Sequence, residues 1–137
     1  AGHVSWMALP GSLREQSAVA QVAAELEAAG IPHHNFAGKT DVGGLMAMIE
    51  AARLTISNDS AALHMAMGLG ERCLGLFGPT DPAVVGPWRR PDLALRAPLE
   101  PGETPHYRDR ALGSKIMSRL EVSTVAQHVD GLIGEWS

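Results

Sequence analysis

Apolar positions recur along this chain at two spacings, and the two spacings alternate. The apolar run from His3 to Leu9, read as a buried strand from Val4, ends at the breaker pair Pro10-Gly11. Val19, Val22, Leu26 and Ala29 follow at helical spacing, with Gly30 as a stop. Ile31 to Ala37 is a weaker strand candidate. Val42, Leu45, Met46, Ile49 and Ala52 again share one helical face. Leu54-Thr55-Ile56-Ser57 is a short β-prone run. Ala61 to Leu69 is apolar almost all round, which predicts a helix buried on most sides. Cys73 to Phe77 has no polar residue and predicts a buried strand. Gly78 to Pro91 contains four prolines and predicts a shaped loop. Leu93 to Leu95 is a last strand candidate, Ala97 to Arg110 is proline-rich and irregular, and Val122 to Ile133 marks a final amphipathic helix.

Alternating strand and helix patterns predict an α/β fold, a parallel sheet with helices on both faces. Ligands of such sheets bind where loops leave the carboxyl ends of strands. That rule selects four loops: Pro10 to Glu15, Gly38 to Asp41, Asn58 to His64, and Gly78 to Gly86.

Composition narrows the class. The 137 residues suit a single domain, read as spanning 1–137, and 45% hydrophobic against 19% charged residues supports a packed core. A net charge of −4 with scattered basic groups at Arg89, Arg90 and Lys115 argues against a nucleic-acid surface. The lone cysteine, Cys73, rules out an internal disulfide and fits a reducing, cytoplasmic setting. No apolar run reaches the roughly 20 residues of a membrane span, so peripheral contact is the most expected of a membrane. The start lacks a basic leader and reads as the middle of a protein, so the chain is expected to be a piece of a longer one. No His, Cys and carboxylate cluster falls at ligand spacing, so neither a metal nor another cofactor is expected.

The candidate chemistry lies in the selected loops. In Ile56-Ser57-Asn58-Asp59-Ser60-Ala61-Ala62-Leu63-His64 a strand ends, small polar residues follow and a helix begins. The first helical turn leaves backbone N–H groups without partners, which suits an anion. Small side chains at Ser60, Ala61 and Ala62 permit close approach, and His64 stands one turn beyond Ser60. Asp59 or Ser60 also reads simply as a helix cap, and the two readings are compatible. In Leu76-Phe77-Gly78-Pro79-Thr80-Asp81-Pro82, two prolines and a glycine fix a loop beside that turn, so that Gly78, Thr80 and Asp81 are candidates for its rim, with Thr80 and Asp81 either pointing at a ligand or tying the loop to itself.

Asn58-Asp59-Ser60 with Leu63-His64, then Gly70, Leu76 to Pro82 and Gly86-Pro87-Trp88, closely resembles the C-terminal domain of the lipopolysaccharide heptosyltransferases, glycosyltransferase family 9. Ala37-Gly38-Lys39-Thr40-Asp41, and Met117 before the last helix, are similar too. The resemblance implies the C-terminal, Rossmann-like half of a two-domain GT-B fold, with the N-terminal acceptor domain and its catalytic carboxylate absent. It implies a nucleotide-sugar donor, usually an ADP-heptose, transferred to lipopolysaccharide core or another glycan acceptor held by the absent domain. It places such an enzyme in the cytoplasm, including the inner face of the bacterial inner membrane.

By that likeness Asp59, Ser60 and the backbone of Ala61 and Ala62 meet the donor's sugar and phosphates, with His64 close by. Glu15 holds the ribose hydroxyls, and Lys39 and Thr40 border the adenine. Glu15 also reads as a first-turn carboxylate, Lys39 as a solvated lysine, and Thr40 or Asp41 as a cap. The family usually carries Gly where this chain has Ala61, and its basic phosphate contact comes from a strand and loop preceding this sequence. Two further readings stand beside this one: a nucleotide-binding module without catalysis, and half of a nucleotide-sugar epimerase. A weaker third is self-association through apolar surface near Trp6, Trp88 or Trp136.

Overall fold

The computed structural model describes residues 6–106 and 108–136. The opening residues of the first strand candidate, His3, Val4 and Ser5, lie outside these. The contacts divide the chain into two compact units, Ala1–Ala51 and Ala52–Ser137.

In the first unit the apolar run yields β1 (Met7–Leu9), followed by a 3-10 turn at Leu13–Glu15 and by α1 (Gln16–Ala28). The chain returns as β2 (His33–Asn35), parallel to β1 with Met7 opposite His33 and Leu9 opposite Asn35, and continues into α2 (Val42–Ala51). This is one strand-helix-strand unit. The stripe of α1 that turns inward is Val19, Ala23 and Leu26, whereas Val22 is 49% exposed. On α2 only Ile49 is fully buried, and Val42 at the first turn is exposed.

The second unit holds β3 (Thr55–Asn58), α3 (Ala61–Leu69), β4 (Cys73–Phe77), the single turn α4 (Pro82–Val85), β5 (Ala94–Arg96), α5 (Arg110–Met117) and α6 (Val122–Glu135). The strands form a parallel sheet in the order β3-β4-β5. β4 takes the centre because it has no polar side chain to solvate. Its successive residues Cys73 and Leu74 point to opposite faces and are both buried, so helices cover the sheet on each side. Phe77, Leu63, Leu74 and Ile116 are each fully buried, worth about 1.5–3 kcal/mol apiece in area removed from water.

α3 begins at Ser60 and stops at Gly70, whose φ of +73° is the left-handed conformation that lets the Glu71 amide reach back to the Ala66 carbonyl at 2.9 Å. It is less buried than its composition suggests. Leu63 and Ala66 are sealed, but Ala61, His64 and Gly68 form an exposed stripe. Small residues read as apolar without needing burial. Two further differences concern the chain after β4. Leu93 closes a 3-10 turn begun by Pro91, and the strand is shifted to Ala94–Arg96. α5, a helix of two turns, follows directly on the irregular stretch, capped by Asp109, whose carboxylate accepts from Leu112 N at 3.0 Å.

Candidate functional site

β3 and β4 are parallel neighbours, with Asn58 opposite Leu76, so the loops leaving their carboxyl ends emerge side by side. Between those loops and α5 lies a cleft of about 650 Å³. Asn58 and Asp59 line it from β3, Gly78, Pro79 and Thr80 from β4, and Arg110, Gly113, Ser114 and Met117 from α5. The fit of α5 depends on Gly78. A Cβ there would stand 2.6 Å from Met117 Sδ, so a side chain at position 78 would force the Met117 side chain out of its place against the loop.

Asp59 is held in place by His64, whose Nε2 lies 2.9 Å from Oδ1. This contact becomes an ion pair when the imidazole is protonated. Ser60 takes the extended N-cap conformation, with φ of −149° and ψ of 171°. Its hydroxyl makes no capping hydrogen bond to the helix and lies instead 2.8 Å from the Ser57 hydroxyl, to which it is hydrogen-bonded. The opening amides of α3, at Ala61 and Ala62, are therefore not closed by a side chain of their own cap and retain their donor capacity.

Of the rim candidates, Gly78 and Thr80 line the cleft, while Asp81 serves the loop itself. Its carboxylate accepts from Ala83 N at 3.0 Å, capping α4, and stands 3.3 Å from Arg96 NH1 on β5. Asp81 thus anchors the rim.

The remaining candidates belong to the first unit. There Gly38 N donates to Gly11 O at 2.7 Å, which joins the loops that follow β1 and β2. Glu15 is engaged by its own turn: Ser12 N donates to Oε2 at 2.7 Å, and hydrogen bonds from Ser12, the backbone amide foremost, hold this carboxyl below its usual range. Lys39 Nζ donates to the Asn35 carbonyl at 3.0 Å. Thr40 is half-buried beside Gly44, and the adjacent Asp41 caps α2 by accepting from Gly44 N at 2.8 Å.

The cleft wall on α5 is the part that sequence reasoning missed. Its signal is present but short: the Asp109 cap followed by Leu112 and Ile116 at helical spacing. The wall is braced by Arg119, whose guanidinium grips Glu103 bidentately at 2.7 and 2.8 Å and donates to the Pro98 carbonyl at 3.1 Å. Among the described residues no group of three or more His, Cys, Asp or Glu is placed to hold a metal ion. No helix among them is long and apolar enough to cross a membrane.

Known proteins carry similar sequences and a similar fold. Two curated relatives match in part. Lipooligosaccharide heptosyltransferase 2 of Haemophilus ducreyi is 31% identical over 84 residues, covering 56% of this chain and 24% of that protein. Lipopolysaccharide heptosyltransferase 1 of Escherichia coli is 27% identical over 62 residues, covering 45% of this chain and 19% of that protein. The chain therefore spans about a quarter or less of these relatives. A solved structure of the E. coli ADP-heptose lps heptosyltransferase II superposes with a TM-score of 0.70 at 24% identity, over 95% of this chain and 37% of that one. The α/β fold, with parallel sheets flanked by helices, is thus one that a heptosyltransferase also uses. The sequence model of glycosyltransferase family 9 (heptosyltransferase) matches residues 4–114, most of the chain, and the chain belongs to that family.

Proposed function

We propose that this chain is the donor-binding, C-terminal part of a heptosyltransferase, and that the cleft beside Asp59 receives a nucleotide sugar. One observation carries the reading: Asp59 and Thr80 line a single cleft at the carboxyl ends of β3 and β4, next to a helix entrance whose cap hydroxyl is already engaged elsewhere. The chemistry fits a glycosyl diphosphate. The Asp59 carboxylate accepts hydrogen bonds from sugar hydroxyls, and the Ala61 and Ala62 amides donate to phosphate oxygens. In the transfer, an acceptor hydroxyl attacks the donor's anomeric carbon. The bond from that carbon to the diphosphate oxygen breaks, and the leaving group gains negative charge that fixed amides stabilise. The hydroxyl proton passes to a base that we place outside this chain.

Family membership favours transfer over the epimerase and non-catalytic readings, and ADP-heptose, the donor in the solved relative's name, is the proposed ligand. We propose lipopolysaccharide core as the acceptor and the cytoplasmic side of the membrane as the setting. In the first unit, the joined loops carrying Glu15, Lys39 and Thr40 are retained as proposed contacts to a nucleoside.

The reading is tested by calorimetric titration of ADP, UDP and GDP. ADP is expected to bind best of the three and weakly, and Asp59→Ala to weaken the nucleotide sugar ADP-heptose, whose sugar hydroxyls donate to Asp59, about tenfold or more, the size of a hydrogen bond to a charged group. Equal affinity for ADP-heptose in the variant would remove the donor-site assignment.

A further inference from the structure

We infer that Arg110, on the α5 wall of the cleft, recognises an anionic group of the bound ligand, a phosphate or a carboxylate, with the Ser114 hydroxyl as a second donor one turn along. This deepens the donor-cleft reading and rests on it.

The placement follows from helix geometry. Arg110, Gly113, Ser114 and Met117 recur at intervals of three and four, so they form one stripe, and all four line the cleft. The stripe is fixed against the β4 loop. Met117 packs where a Gly78 side chain would be, and a Cβ on Gly113 would come to 3.5 Å from Pro79 Cγ. Arg110 and Ser114 thus face the same space as Asp59 and Thr80.

The charges in that space are unevenly matched. Asp59 is bonded to His64, and Asp109 is occupied with the Leu112 amide. Among the described residues, no carboxylate pairs with Arg110, whereas Arg90 and Arg96 each have one and Arg119 has two. A guanidinium offers five N–H donors in a planar fork that matches two oxygens of a phosphate or carboxylate. Asp109 lines the cleft beside Arg110 with its carboxylate engaged by the Leu112 amide, and Gly113, Ser114 and Met117 are neutral, so the complement of the guanidinium is an anion carried by the ligand.

The test titrates the whole chain with ADP, inorganic pyrophosphate, glucuronate and adenosine, for wild type, Arg110→Gln, Arg110→Lys and Asp59→Ala. Arg110 is exposed, so the melting temperature of its variants is expected to match wild type. Arg110→Gln should weaken at least one anion fivefold or more, leave adenosine within twofold, and be partly rescued by Arg110→Lys. Loss of ADP and pyrophosphate assigns the subsite to the donor diphosphate, and loss of glucuronate alone assigns it to an acidic sugar. Anion affinities within twofold of wild type, an equal loss for adenosine, or a wild-type chain that binds none of the anions would overturn the inference. Asp59→Ala, titrated with ADP-heptose, separates the two proposals: if it still weakens that nucleotide sugar, the donor cleft stands without Arg110.

Discussion

Arg119 joins an irregular segment to the end of a helix through one side chain. Its guanidinium, together with the Glu100 amide, holds the Glu103 carboxyl down to about 2, against an ordinary 4.5. The folded state thus favours the ionised form. The stabilisation is fully present above pH 4.5 and is lost as pH falls from there through about 2. Arg119→Met is expected to return the Glu103 titration toward 4.5, read by NMR, and to flatten the loss of melting temperature across that acid window. A different case is Cys73, where burial pushes the thiol up, so it is inert in the folded chain. At this scale sequence and structure agree on residue type more readily than on use. By sequence Asp81 serves either a ligand or its own loop, and the structure shows the second: its carboxylate is taken by Ala83 N and by Arg96, the latter on a strand fifteen positions on.

The central strand is the element on which the rest depends. Gly75 sits in β4 where a Cβ would meet Phe77 Cε2 at 2.5 Å and Leu63 Cδ2 at 2.8 Å, both in the sealed core. Gly75→Ala is expected to cost about 1–3 kcal/mol through overpacking, visible as a lower melting temperature. β4 was legible because five successive residues without a polar group leave few other solutions, and α3 because Ser60 and Gly70 mark its two ends. The limits of legibility are equally physical. Two turns of α5 give too few repeats for periodicity to stand out from the proline-rich run before it, and Pro91 displaced β5 by fixing a 3-10 turn. The β3 and β4 loops of the cleft are contiguous motifs and could be read. The α5 wall comes from tertiary packing across more than thirty residues and could not.

For the whole chain, family membership and length pull in different directions. The sequence belongs to a family of sugar-transferring enzymes but spans 24% and 19% of two of its relatives. If the base lies outside these residues, the chain incubated with nucleotide sugar and glycan acceptor is expected to bind donor and form no glycosidic product. Mass spectrometry of the reaction checks this, and any transfer product would place a base within the chain. With a net charge of −4, the proposed anion binding has to be local, opposed by the overall field, and sensitive to salt. The proposed binding gains from how Asp81 holds the Thr80 loop. One carboxylate ties the exit of the loop both to the proline-started turn and to Arg96 on β5. A loop ordered before the encounter loses little conformational entropy when a ligand arrives, so a few well-aimed contacts give measurable affinity.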